Sequence, residues 1–334
     1  MERLLLYDRI FGKIKNEYNI KRELGTYSIC EDITEYLNTP KFRKYSINDK
    51  IMTKIILNNG NLFMNLIPLN KKKYFLSLCA TIKNEIHIIE WINYYRKIGV
   101  EHFFIYDNES DIPLSETLND YKSICTIKKI KGKDKQLICY KECVKEYGKL
   151  SEWIAFIDGD EYILPIEDNN LTDFLIKRSH LQAVGINWIL YGTSFHNEKP
   201  NGSVIENFTY NEGIQNMHIK TILKPKYFID CPNNPHHMIM ENPKLYQDPT
   251  GFPITGPFNH NQSISIIRIN HYCVYSAEEF NNKIKRGKAL GSNVTGNLSV
   301  LVGHYYIHTP FDDNDIHTMC NQFHDTLIID KYCK

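Results

Sequence analysis

The chain has 334 residues, 42% of them hydrophobic, and its 40 Lys and Arg against 39 Asp and Glu leave a formal charge of +1. That apolar content excludes a disordered chain, and the charge balance excludes a global field drawing the protein to nucleic acid or to an anionic membrane. Nine scattered cysteines without a CxxC pair argue for reduced thiols and against a zinc site.

The start, Met1 to Arg9, breaks its apolar run with charge too early for a secretory signal or an anchor, and no later run is long enough to span a bilayer. The expectation is a cytoplasmic chain without an integral membrane segment, its sequons at Asn108, Asn201 and Asn293 unused. Abundant Lys, Asn, Ile and Tyr suggest an AT-rich genome.

Residues 1–71 read as an N-terminal extension packed on the core, with two short strands from Ile51 to Pro68 around the turn-prone Asn58-Asn59-Gly60-Asn61. No Gly/Ser/Pro-rich linker separates it from the segment beginning at residue 72. Tyr74 to Ala80 is a nearly unbroken apolar run, which suits a parallel strand covered on both faces. Ile88, Ile89, Ile92, Tyr95 and Ile98 then recur at helical spacing up to Gly99. Val100 to Tyr106 and Ile124 to Ile130 predict two further strands, and Lys135 to Tyr147 a helix stopped by Gly148. Trp153 to Ile157 is a fourth strand that runs into Asp158-Gly159-Asp160-Glu161. This alternation predicts βαβ crossovers and an open sheet flanked by helices, with ligands at the carboxyl ends of the strands.

Two carboxylates separated by one glycine at a strand end can hold a divalent cation, Mn2+ or Mg2+, against a diphosphate, although an acidic strand-end turn has the same sequence. Gly159 permits close approach of a ligand to the backbone. An EF-hand loop fits poorly because Tyr162-Ile163-Leu164 occupies positions that should supply ligands and a glycine. Ser276-Ala277-Glu278-Glu279 is a capping box opening a helix that carries Lys283, Lys285 and Arg286. Lys283 and Arg286 could meet a diphosphate or form a solvated face. Of His236 and His237, adjacent on a strand, only one could face a shared ion.

Thr81 to Glu85, Tyr106-Asp107-Asn108, Trp153 to Tyr162, Trp188 to His196 and Ile269 to Gly287 occur in one order that resembles glycosyltransferase family 92 and its family-2-like relatives over residues 72–290. The resemblance implies a GT-A, Rossmann-like α/β fold with an open mixed sheet, a C-terminal segment at 291–334, and inverting transfer of a sugar. The implied donor is a nucleotide diphosphate sugar, a UDP-sugar, and the acceptor a glycan or glycoconjugate. It implies that Thr81, Lys83, Glu85 and Asp107 line the nucleoside pocket. Asp158 then faces ribose or a metal-bound water, Asp160 binds the metal directly, and Glu161 orients the loop or faces the sugar. His271, in Asn270-His271-Tyr272, becomes a third metal ligand, with a core histidine as the competing account. Inversion requires a proton acceptor, for which His196 and Glu206 are the nearest suggestions. Gly192-Thr193-Ser194-Phe195-His196 departs from the family's Gly-Ser-Ser-Gly-His form, and Gly159 stands where members often carry a bulkier residue. A non-catalytic nucleotide-sugar or carbohydrate-binding protein would share the fold. A sugar nucleotidyltransferase would need a Gly-rich phosphate loop, and Ala80 to Glu85 contains no glycine.

Overall fold

The computed structural model describes residues 72–286, 317 and 320–333, together with backbone strands within 21–68 and 299–308. The chain divides into two compact units, Met1–Lys73 and Tyr74–Lys334. In the first, strands Lys21–Glu23, Thr26–Cys30, Ser46–Ile47, Lys50–Asn58 and Asn61–Pro68 form an antiparallel sheet. Lys50–Asn58 and Asn61–Pro68 are the hairpin expected around Asn59-Gly60.

The second unit is built on a mixed sheet of β1 (Tyr74–Ile82), β2 (His102–Asp107), β3 (Cys125–Lys129), β4 (Ser151–Phe156), β5 (Glu161–Pro165), β6 (Ala183–Leu190), β7 (Asn216–Leu223), β8 (Tyr246–Gln247) and β9 (Ile267–His271). The spatial order is β5-β9-β6-β7-β4-β1-β2-β3, with β8 beside β6. Strands β1 to β4 are mutually parallel, the arrangement expected from the nearly unbroken apolar run of β1 and the alternation of strands and helices. Antiparallel β7 inserts between β4 and β6, and β5 pairs antiparallel with β9 at the edge. The result is the open mixed sheet flanked by helices expected of a GT-A domain.

Helices α1 (Ile88–Lys97), α2 (Gln136–Tyr147), α3 (Leu171–Lys177), α4 (Ala277–Arg286) and α5 (Leu327–Tyr332) cover or border the sheet. Ile88, Trp91, Ile92 and Tyr95 form the buried stripe of α1, which ends before Gly99 at φ +111°, a value that favours glycine. Gly148 stops α2 differently. Its φ of −58° is ordinary, but a Cβ there would lie 2.4 Å from the Val144 carbonyl oxygen and 2.8 Å from Pro225 Cβ, so close packing is what requires glycine. The capping box is present: the Ser276 hydroxyl accepts from Glu279 N–H, and Glu279 Oε2 accepts from Ser276 N–H, both at 3.2 Å. Residues 320–333 return to this unit, where Asp325 pairs with Arg268 and accepts from the Tyr191 hydroxyl.

Candidate active site

The acidic loop sits where β4 ends beside β1, and α1 grips its far end. Trp91 Nε1–H and the Tyr95 hydroxyl donate to the Glu161 carbonyl at 3.0 and 2.9 Å, and Tyr272 N–H donates to the Asp160 carbonyl at 2.8 Å. A Cβ on Gly159 would lie 2.9 Å from Ile82 Cδ1 and 3.0 Å from Glu85 Cγ, so the loop is seated directly on the turn that comes after β1.

Each carboxylate of the loop has a different role. Asp158 Oδ2 accepts from Lys220 Nζ at 2.7 Å, and its Oδ1 accepts from Gln136 Nε2 at 2.6 Å. Glu161 is fully buried and folds back, its Oε2 accepting from Asp158 N–H at 2.9 Å while Oε1 lies 3.8 Å from Lys220 Nζ. Burial, against the pull of Lys220, pushes the Glu161 carboxyl up to about 8. Burial would lower the Lys220 ammonium, but Asp158 and Glu161 raise it above the ordinary lysine value. Glu161 is thereby placed to orient the loop.

Asp160 Oδ2 accepts from Lys283 Nζ, which also donates to the Cys273 carbonyl at 3.0 Å. Its Oδ1 faces His271 Nε2 at 3.6 Å, too long for a hydrogen bond. Burial would raise the Asp160 carboxyl, but Lys283 and His271 hold it well below the usual range. Burial would likewise lower His271, and Asp160 overcomes it to bring the imidazole to about 9. Among the described residues no three His, Cys, Asp or Glu side chains converge as a metal cage. Asp160 Oδ1 and His271 Nε2 nevertheless make a two-donor edge, and hard divalent cations commonly take one or two protein donors together with substrate phosphate oxygens. The donor set fits such a cation once His271 has lost its proton.

The remaining sequence candidates divide. Glu85 joins the loop, its Oε1 accepting from His87 N–H at 3.1 Å; burial and then Asp160 raise its carboxyl. Thr81 lies at the carboxyl end of β1, paired with Tyr106, and Lys83 is exposed just beyond it. Asp107 is buried, with Oδ1 accepting from Ser110 N–H and Oδ2 from Leu114 N–H, each at 3.0 Å. Asp107 therefore staples the loop after β2, and Asp107→Ala should cost about 1–3 kcal/mol by leaving two backbone donors unpaired. A thermal melt unchanged from that of the native protein would disprove this role. His196 Nε2 faces the Asn207 carbonyl at 3.2 Å, and Glu206 is exposed and accepts from the Ser203 hydroxyl. These contacts do not bring either residue to the acidic loop. The Arg286 side chain lies outside the described residues. His236, half-buried beside Lys220 and His218, is driven down to about 2 by desolvation and those neighbours and stays neutral.

Strand β7 supplies what sequence reasoning missed. Asn216, His218 and Lys220 alternate along it and so share one face. His218 stacks on Trp188 with ring centroids 5.1 Å apart, and Trp188 meets the His271 ring at 4.4 Å. Glu212 is also buried, its N–H donating to the Leu190 carbonyl, and Leu190 pairs directly with His271. Burial, with Cys273 close by, pushes the Glu212 carboxyl up to about 7. The strict alternation of Asn216, His218 and Lys220 was the one signal available in the sequence.

An open mixed α/β sheet with a charged cluster at the carboxyl ends of its parallel strands has that cluster where α/β sheets bind ligands. The chain belongs to glycosyltransferase family 92, whose family model matches residues 76–298. A family 92 protein of Ricinus communis is 26% identical over 225 residues, covering 65% of this chain and 38% of that one. One from Oryza sativa subsp. japonica is 30% identical over 119 residues, covering 34% and 20%. The chain thus spans well under half the length of these curated relatives. Among solved structures, S. aureus TarS 1–349 is similar at 15% identity and a TM-score of 0.32, over 46% of this chain and 48% of that one. No helix among the described residues is long and apolar enough to cross a membrane.

Proposed function

We propose that this domain transfers a sugar from a nucleotide diphosphate donor, a UDP-sugar, to a glycan or glycoconjugate acceptor with inversion at the anomeric carbon. The observation that carries the reading is the Asp158–Glu161 loop at the carboxyl ends of β4 and β1 in a family 92 domain. Asp160 and His271 would hold Mn2+ or Mg2+, which when bound neutralises charge on the departing diphosphate. Lys283, already beside Asp160, adds a positive charge on the same side. Lys220 and Gln136 fix Asp158, and Glu161 fixes the backbone of the loop, so the acidic groups are oriented before donor arrives.

The acceptor hydroxyl must lose a proton as the new bond forms. In this reading Glu212, raised toward neutrality and set beside the strand pair Leu190–His271, takes it only when acceptor binding uncovers its carboxyl, since both oxygens are shielded. His196 and Glu206, engaged with Asn207 and Ser203, are left with supporting roles.

The test is a thermal-shift panel of nucleotide sugars with and without manganese. A ligand at about a hundred times its dissociation constant adds roughly 2.7 kcal/mol, so the true donor should stand out, and should do so with metal present. No shift with any uridine nucleotide would sink the donor assignment.

A further inference from the structure

A ladder of aromatic rings leads away from His271. Trp188 lies against His271, His218 stacks on Trp188, and Phe258 meets the edge of His218 with centroids 4.9 Å apart. Phe258 and His218 are direct β-bridge partners and therefore lie on the same face of the sheet. The ladder ends in solvent, since Phe258 is 46% exposed.

An isolated exposed phenylalanine would carry no meaning. This one is held rigidly by buried polar groups. Asn259, next in sequence, donates through Nδ2 to Asn187 Oδ1 at 2.8 Å and to Asp248 Oδ2 at 3.2 Å, while Asn187 Nδ2 returns a bond to the Asn259 carbonyl at 2.9 Å. Ser263 Oγ–H donates to the same Asn187 oxygen. Backbone bonds from Asn259 N–H to Met217 and from Ile219 N–H to Pro257 lock the loop to β7 on both sides of Phe258. Four buried polar side chains are thus committed to fixing the loop on which one exposed ring is displayed. Such preorganisation is what a binding surface needs and a solvent loop does not.

We propose that His218 and Phe258, backed by Trp188, form the subsite for a pyranose ring of the acceptor. The C–H bonds on the apolar face of a sugar pack on the electron-rich face of an aromatic ring. The proposal rests on the glycosyltransferase reading. With the donor diphosphate at Asp160 and His271, a ring bound further along the ladder is the acceptor's.

The probes are the methyl pyranosides of glucose, galactose, mannose and N-acetylglucosamine, followed by saturation-transfer NMR on the whole chain, with UDP in a parallel sample. At least one pyranoside should bind, with saturation concentrated on the C–H protons of one ring face. Phe258→Ala should weaken it by at least about tenfold, and Phe258→Trp should restore it, as the aromatic face alone decides the contact. Phe252→Ala, also exposed on this loop but outside the ladder, serves as the control and should bind like the native protein. Binding by none of the four, or equal binding in Phe258→Ala, overturns the subsite. Loss of the UDP signal with pyranoside binding intact would instead count against the donor reading alone.

Discussion

Lys220→Met should lower the melting temperature by roughly 6–12 °C, the equivalent of about 3 kcal/mol, and should abolish most activity. Lys220 is completely buried, and its ammonium is the cation within reach of both Asp158 and Glu161. Methionine fills nearly the same volume, so the loss is electrostatic: Asp158 loses its ion pair, and the buried Glu161 loses its neighbouring cation once pH rises past about 8 and it ionises. Glu161 can relieve part of this by taking a proton, and that gives the prediction a pH signature. A carboxyl whose folded pKa lies above its unfolded value favours the folded state while protonated, and that advantage is lost as pH rises from the unfolded value through the folded one. Glu161 already titrates at about 8 with Lys220 present, and removing the cation moves it higher. The deficit of Lys220→Met should therefore be larger near pH 9 than near pH 6. A deficit that is flat across this range would show that Lys220 acts by packing alone.

The parallel half of the sheet was legible because three of its four strands, β1, β2 and β4, are largely buried on both faces. Leu76 to Ala80 and Trp153 to Ile157 are buried throughout, and the acidic loop advertises itself as the first charge after such a run. Ser276 and Glu279 were legible because a capping box is a local device, formed within four residues. Lys220 was hidden for the opposite reason. It sits in a strand whose alternation reads as half exposed, and the carboxylate that compensates its burial is 62 positions away in sequence. Glu212 and the ring ladder are hidden similarly, since their meaning depends on which strands become neighbours: Leu190 brings Glu212 to His271, and a single bridge brings Phe258 to His218. Asp107 shows the converse. Its position at a strand end suggests a nucleoside contact, while in the fold both its oxygens already accept from the backbone.

Asp160→Asn should reduce metal-dependent release of UDP from a UDP-sugar by at least about a hundredfold, equivalent to ~2.7 kcal/mol of transition-state stabilisation. The substitution keeps the shape of the side chain and removes the negative charge that faces His271 and Lys283. The fold should survive it. Lys283 keeps its bond to the Cys273 carbonyl and its side chain is 30% exposed, so water can replace the lost carboxylate. His271 loses the charge that raises it, and its pKa falls back from about 9, which leaves a neutral ring still able to bind a cation. The expected signature is accordingly a large fall in turnover, a weakened response to manganese and a retained thermal transition. Glu278→Ala provides the comparison, because Glu278 accepts from the Lys199 backbone at the start of α4 and its loss should leave turnover near the native level. Release of UDP is followed against manganese concentration in the native protein and both variants. Native turnover with an unaltered manganese response in Asp160→Asn would rule out Asp160 as a ligand and remove the central claim about this site.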